Sequence, residues 1–300
     1  MAHIQKVALA GATGALGPHM LKALLDLQFD VTVLVRQGST SKLPDSIKTI
    51  VVDYNNVPSL VAALKGQDAV ISTLAASAVP LQINLVDAAI EANVKRFIPS
   101  EYGCDMRNER ARNLPFFAQK NVVRAYLEEK SQSTSLTYSY IYNVVFLDYG
   151  VSNGLLIDLK NKKLDLMDDG NRLSTVTPLS HVARATVAVL KHPEETKNRP
   201  VLVHGAQLSQ RKLLELSQRV VGSEGWQITE VSSEKGEEEA WRNFKAAPQD
   251  VMGWILGFLR RAVYGEGYGG DLSQDNDNEL LGLKVLTDDE ILEIIKFASS

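Results

Sequence analysis

The 300-residue chain has one cysteine, Cys104, which excludes an intrachain disulfide and a thiolate zinc cluster and fits a reducing compartment. It also lacks any long basic run, its formal charge of −4 coming from 32 Lys and Arg against 36 Asp and Glu. Nucleic-acid binding needs clustered positive charge, so no nucleic-acid partner is expected. No uninterrupted apolar stretch approaches the ~20 residues of a membrane span, so no membrane partner is expected either. Met1 to Lys6 lead into an apolar segment with no signal-like or transit-like stretch, and Phe297-Ala298-Ser299-Ser300 carries no prenylation or peroxisomal signature. A cytoplasmic location is the expectation. The histidines His3, His19, His192 and His204 show no metal-ligand spacing, and no metal is expected.

What is present is a soluble globular composition, 45% hydrophobic and 23% charged, with ample material for a core. Lys6 to Ala10 is an apolar run that ends in Gly11-x-x-Gly14-x-x-Gly17, and a helix-like sequence from Pro18 to Leu27 follows at once. Glycine tolerates positive φ and lets backbone approach a bound group closely. A strand, glycine turn and helix in that order aim free N–H groups and a positive helix end at an anion, typically a dinucleotide pyrophosphate. A chance turn also produces this spacing; its place after an N-terminal strand favours the nucleotide reading.

Further apolar runs occur at Val31–Val35, Ile47–Val52, Asp68–Leu74 and Arg96–Ile98, with helical patterns at Val57–Leu64 and Pro80–Ala92 between them. The alternation predicts an α/β fold, a Rossmann-type doubly wound parallel sheet with right-handed crossovers. A long helix is expected over Pro115 to Lys130 and a strand over Thr137 to Phe146. Residues 1–150 then form the dinucleotide-binding domain, and 151–300 mainly a smaller substrate lobe with some segments returning to the sheet. From Trp226 the chain reads as mainly helical, with a loop from Gly265 to Asp277 and a capping box at Thr287 to Glu290.

Units that bind NAD usually end their second strand with an acidic residue for the ribose 2′-hydroxyl. Here that strand ends in Arg36, while Asp30 lies at its other end. A guanidinium fork suits a 2′-phosphate, and Lys42 close behind adds a second charge, so NADPH is the expected cofactor. The plain alternative for Arg36 is a solvated surface residue.

Gly11-x-x-Gly14-x-x-Gly17, Arg36, Asp68 to Ser72 and above all Arg96-Phe97-Ile98-Pro99-Ser100-Glu101-Tyr102-Gly103 resemble the NmrA-like atypical short-chain dehydrogenases. Within them the chain is most similar to the isoflavone reductase, pinoresinol-lariciresinol reductase and phenylcoumaran benzylic ether reductase family. The likeness runs on through Phe116-x-x-x-Lys120-x-x-x-Arg124 and Thr137 to Asn143, and beyond Gly150 holds only in outline. It implies a lysine general acid/base at Lys120 beside the nicotinamide, where a proton must match the hydride. It also places Thr13 and Leu16 against the pyrophosphate and Thr73-Leu74 beneath the adenosine. Ser100 falls near the nicotinamide, with Asn143 behind it, and Tyr102 and Cys104 fall by the substrate. The implied partner is a small-molecule substrate, aromatic in character, and a homodimer is the implied assembly.

Three local readings stand beside this. Tyr126-x-x-x-Lys130 fits the pattern of ordinary short-chain dehydrogenases, but at ~100° per residue it lies about 240° round the helix from Lys120. Tyr126 instead groups with Val122, Val123 and Leu127 as a core stripe. Cys104 reads equally as a small core thiol, and His181 as a surface residue at a helix start.

Three functions follow. The first is an NADPH-dependent reductase of a small aromatic or enone-like secondary metabolite. The second is a non-catalytic NADP(H) redox sensor that binds a regulatory protein, and the third a redox-neutral isomerase or dehydratase on the same fold. Lys120 favours an enzyme, because a sensor needs no proton donor.

Overall fold

A computed structural model describes residues 4–39 and 43–299. They fall into two compact units that interleave along the chain. The first is Met1–Tyr102, Gln119–Ile141 and Ser180–Val201, and the second Gly103–Ala118, Tyr142–Leu179 and Leu202–Ser300.

The first unit is built on β1 (Lys6–Ala10), β2 (Asp30–Arg36), β3 (Lys48–Val52), β4 (Ala69–Ser72), β5 (Arg96–Ile98) and β6 (Thr137–Tyr142). Val7 to Ala10 and Ala69 to Ile71 have no exposed surface, as expected of strands covered on both faces. With Arg199–Leu202 at one edge the sheet has seven strands. Their order is Arg199–Leu202, β6, β5, β4, β1, β2, β3. The neighbouring pairs from β3 to β6 are all parallel, with Leu9 opposite Val33 on one side and Ile71 on the other. The chain thus winds outward from β1 through β2 to β3, then returns to the far side of β1. That reversal opens a crevice at the carboxyl ends of β1 and β4, where open α/β sheets take their ligands.

Helices α1 (Gly17–Asp26), α2 (Val57–Leu64) and α3 (Gln82–Glu91) make the crossovers. At the start of α2 the Asn56 side chain accepts the Ser59 N–H at 3.1 Å, a conventional cap. α1 starts differently: its first turn holds a proline, no acidic residue and no side-chain cap. Its positive end is left for something else.

The second unit has a three-stranded sheet of Ala206–Leu208, Ser174–Thr177 and Val145–Phe146. The strand expected over Thr137–Phe146 is therefore two. It breaks after Tyr142, and Val144 sits at φ +61°, a left-handed conformation rare for a β-branched residue. The mainly helical reading beyond Trp226 also needs correction, since Gln227–Val231 is a strand parallel to Lys163–Met167. Its two apolar residues, Ile228 and Val231, lie three apart, so the segment lacks the period of two that marks a half-buried strand, and the strand is largely exposed. The capping box forms: Thr287 N–H donates to Glu290 Oε2 at 2.8 Å and Glu290 N–H to Thr287 Oγ1 at 3.3 Å, opening the helix Asp288–Ser299. Among the described residues no helix is long and apolar enough to cross a membrane.

In β5 the Arg96 guanidinium is buried within the first unit. It donates to Thr137 Oγ1 at 2.9 Å, Ser139 Oγ at 2.8 Å, Thr196 Oγ1 at 3.1 Å and the Pro193 carbonyl. Burial pulls it down to about 10, with Glu194 acting the other way. Replacing Arg96 by methionine keeps bulk but strands these acceptors. Urea unfolding is expected to show a loss of about 2–4 kcal/mol.

Candidate functional site

The glycine turn explains itself residue by residue. Gly11 has φ +84°, and a Cβ there would lie 2.6 Å from the Thr73 carbonyl oxygen. A Cβ on Gly17 would lie 2.3 Å from the Gly11 carbonyl oxygen. Both glycines are demanded by the turn's own packing. Gly14 is not: a Cβ would meet its nearest protein atom at an ordinary 3.5 Å. Its bareness serves whatever rests against the turn from outside, which fits a pyrophosphate.

Gly11, Thr13, Gly14, Arg36, Thr73 and Leu74 line one cleft of about 430 Å³, joined by Ser39 and Tyr54. Arg36 is exposed at its rim, and among the described residues its side chain makes no ion pair. The carboxyl end of β2 offers no carboxylate to this cleft. The donor set of N–H groups, hydroxyls and one guanidinium suits a phosphorylated nucleotide. Lys42 lies outside the described residues.

Leu16 and Gly17 do not line the cleft. The Leu16 side chain is buried as the residue before α1, with its carbonyl accepting the Met20 N–H at 3.0 Å. The Thr73 hydroxyl lies 2.9 Å from the Ala10 and 3.0 Å from the Gly11 carbonyl oxygen, so it holds the turn. Ser100 is buried and ties two strand ends together. Its hydroxyl donates to the Leu74 carbonyl at 2.8 Å, and its N–H donates to Gln82 Oε1 at 2.7 Å. That bond gives the buried Gln82 its role, holding the end of β5 against the start of α3.

Lys120 and Arg124 stand four residues apart on the helix Ala118–Ser133, with Glu128 four further on, so all three share a face. Lys120 is half-buried, and its Nζ donates to the backbone carbonyl of Glu101, just past β5. The Tyr140 hydroxyl on β6 reaches both Glu128 Oε1 at 3.2 Å and the Arg124 carbonyl at 3.3 Å. The Glu101 side chain lies buried beside this face, and burial pushes its carboxyl up to about 7, against the pull of Lys120 and Arg124. Glu101 lies in the run Arg96–Gly103, to which the resemblance assigns it no role. The available signal was an acidic residue sitting where an apolar strand ends. Tyr102 is also buried, and burial pushes its phenol up, keeping it neutral.

In the second unit Asn143 is fully buried. Its N–H donates to the Gly103 carbonyl at 3.0 Å and its carbonyl accepts from Thr177 Oγ1 at 3.1 Å. Its carboxamide atoms have no hydrogen-bond partner among the described residues, which is unusual for buried polar groups. Cys104 is buried there too and forms no disulfide.

Two expectations change. Tyr126 is not a core tyrosine: it is half-buried, its hydroxyl donates to Asp87, and Lys130 Nζ lies 4.9 Å from its ring centre. The apolar stripe reduces to Val123 and Leu127, since Val122 is 57% exposed. His181 is not on the surface but buried, with Nδ1 2.8 Å from an Arg184 guanidinium nitrogen.

Comparison with known proteins agrees with this fold. The NmrA-like family model matches residues 3–243. An Aspergillus flavus protein named oxidoreductase aprR is 34% identical over 299 residues, covering 97% of this chain and 98% of its own. The bifunctional pinoresinol-lariciresinol reductase 2 of Linum usitatissimum is 30% identical over 74% of this chain and 73% of its own. The fold matches the leucoanthocyanidin reductase of Vitis vinifera, solved as a binary complex with NADPH. The TM-score is 0.79 at 20% identity, over 97% of this chain and 99% of that one. Glycine turn, Rossmann-type sheet and whole-length relatives converge, and the chain belongs to the NmrA-like family as an oxidoreductase of the isoflavone reductase-like kind.

Proposed function

We propose that the chain is an NADPH-dependent reductase of a small aromatic or enone-like secondary metabolite, with Lys120 as general acid/base. The observation that carries the cofactor is the cleft itself, which joins the glycine turn to Arg36 and places no carboxylate at the end of β2. Thr13 and Gly14 would take the pyrophosphate, and Arg36 would fork onto the 2′-phosphate. When bound, NADPH supplies the hydride. The chain's own part is to orient and to manage one proton. The tether to the Glu101 carbonyl holds the Lys120 ammonium in a half-buried place, from which Nζ can protonate a substrate oxygen. The aromatic substrate class is supported by the pinoresinol-lariciresinol reductase relative.

Fluorescence titration tests the cofactor: NADPH should bind and be preferred to NADH, and a preference for NADH or no binding overturns the reading. Arg36→Glu should weaken NADPH by about 10–100-fold and leave NADH at least as tight, because a charge-assisted fork is exchanged for like-charge repulsion. NADPH consumption over a panel of phenolic and quinoid compounds separates a reductase from a sensor or an isomerase. In Lys120→Met, kcat/KM should fall about 10²–10⁴-fold with the NADPH Kd unchanged. Full turnover in that variant removes the mechanism.

A further inference from the structure

Glu101 is only 1% exposed, and among the described residues neither carboxyl oxygen has a hydrogen-bond partner. Buried carboxyls are ordinarily bonded, so this one needs another account. Its main chain is committed on both sides. The N–H donates to the Pro99 carbonyl at 2.8 Å, and the carbonyl accepts from Lys120 Nζ. The charged groups facing the carboxyl, Lys120, Arg124 and Glu128, all come from the helix Ala118–Ser133. Glu128 is the one like charge, and Tyr140 from β6 accompanies it. One residue therefore addresses Lys120 twice, with a carbonyl that fixes its direction and a carboxyl that faces its charge.

We propose that Glu101 is a positioning residue that sets the charge of Lys120, holding Nζ as an ammonium until its proton is needed. The inference rests on the reading of Lys120 as the general acid/base. An opposite charge in a poorly solvated place favours the charged form of its neighbour. Once the carboxyl ionises, from about pH 7 upward, the cost of burying it without hydrogen bonds is then the cost of keeping the proton donor loaded. A glutamine of the same shape would fill the space equally well, so packing alone does not require the acid.

The test is competitive acylation of Lys120 in the cofactor-free protein across pH, read by peptide mass spectrometry. In Glu101→Gln the labelling midpoint should fall by about one unit or more, a tenfold change in acidity, because the counter-charge has gone. Glu101→Asp should keep most of the wild-type midpoint. An unmoved midpoint in a folded Glu101→Gln protein overturns the proposal.

Should that variant fail to fold, the pair is read from the other side. The unfolded chain ionises this carboxyl near 4.5 and the folded one near 7, so the native state holds the extra proton in between. Stability from this group is full below about 4.5 and falls as pH rises through about 7. In Lys120→Met the carboxyl loses its cation and ionises later, so thermal unfolding should show the fall reaching to higher pH. The same pH range as wild type overturns the proposal. Neither measurement needs turnover, so failure of the pair is distinct from failure of Lys120 as a catalyst.

Discussion

The first unit depends on how closely the backbone of Gly11 passes Thr73. The peptide after β1 runs against the peptide after β4 with no room for a Cβ, and one hydroxyl lies within reach of the carbonyls of Ala10 and Gly11. That contact closes the turn at the point where the strand order reverses. Everything placed around the cleft follows from it. Gly14 is left bare toward the outside, α1 begins without a cap of its own, and Thr73 and Leu74 form the opposite wall. The cleft is a by-product of two strands being neighbours.

How much of this was legible in the sequence varies with the kind of signal. β1, β2 and β4 read clearly because both their faces are buried, which leaves unbroken apolar runs. The glycine spacing read clearly for a related reason, since two of its three positions admit no side chain. Residues 137–146 misled because apolar character continues through a change of direction, and nothing in a valine announces a positive φ. Gln227–Val231 was obscured because its side chains are mostly exposed, so composition favoured a polar helix. His181 and Tyr126 were misplaced for lack of their partners, Arg184 nearby and Asp87 on another helix. The pairing of Tyr126 with Asp87, 39 residues away, has no linear trace, whereas that of His181 with Arg184 is an i,i+3 helix pair whose burial the sequence does not show.

The lysine face shows a second limit. The spacing of Lys120, Arg124 and Glu128 gives a shared helix face, but not what that face meets. Only the fold brings the end of β5 beside it, and with it an acid whose two oxygens go unbonded among the described residues. A charge placed that way stores unfavourable solvation energy inside the protein, and such storage is sustained only where the surrounding packing is rigid. The interior bonds of Arg96 on β5 provide that rigidity a few residues upstream.

The interleaving of the two units bears on how the chain is made. The Arg96 guanidinium reaches Thr196 across 100 residues, and the edge strand of its sheet arrives only at Arg199–Leu202. A nascent chain that has emerged as far as Gly150 holds the glycine turn and most of the strands of this sheet, yet its buried Arg96 still lacks part of its cage. Such a fragment has reason to wait, or to be held by a chaperone, until synthesis is two-thirds done.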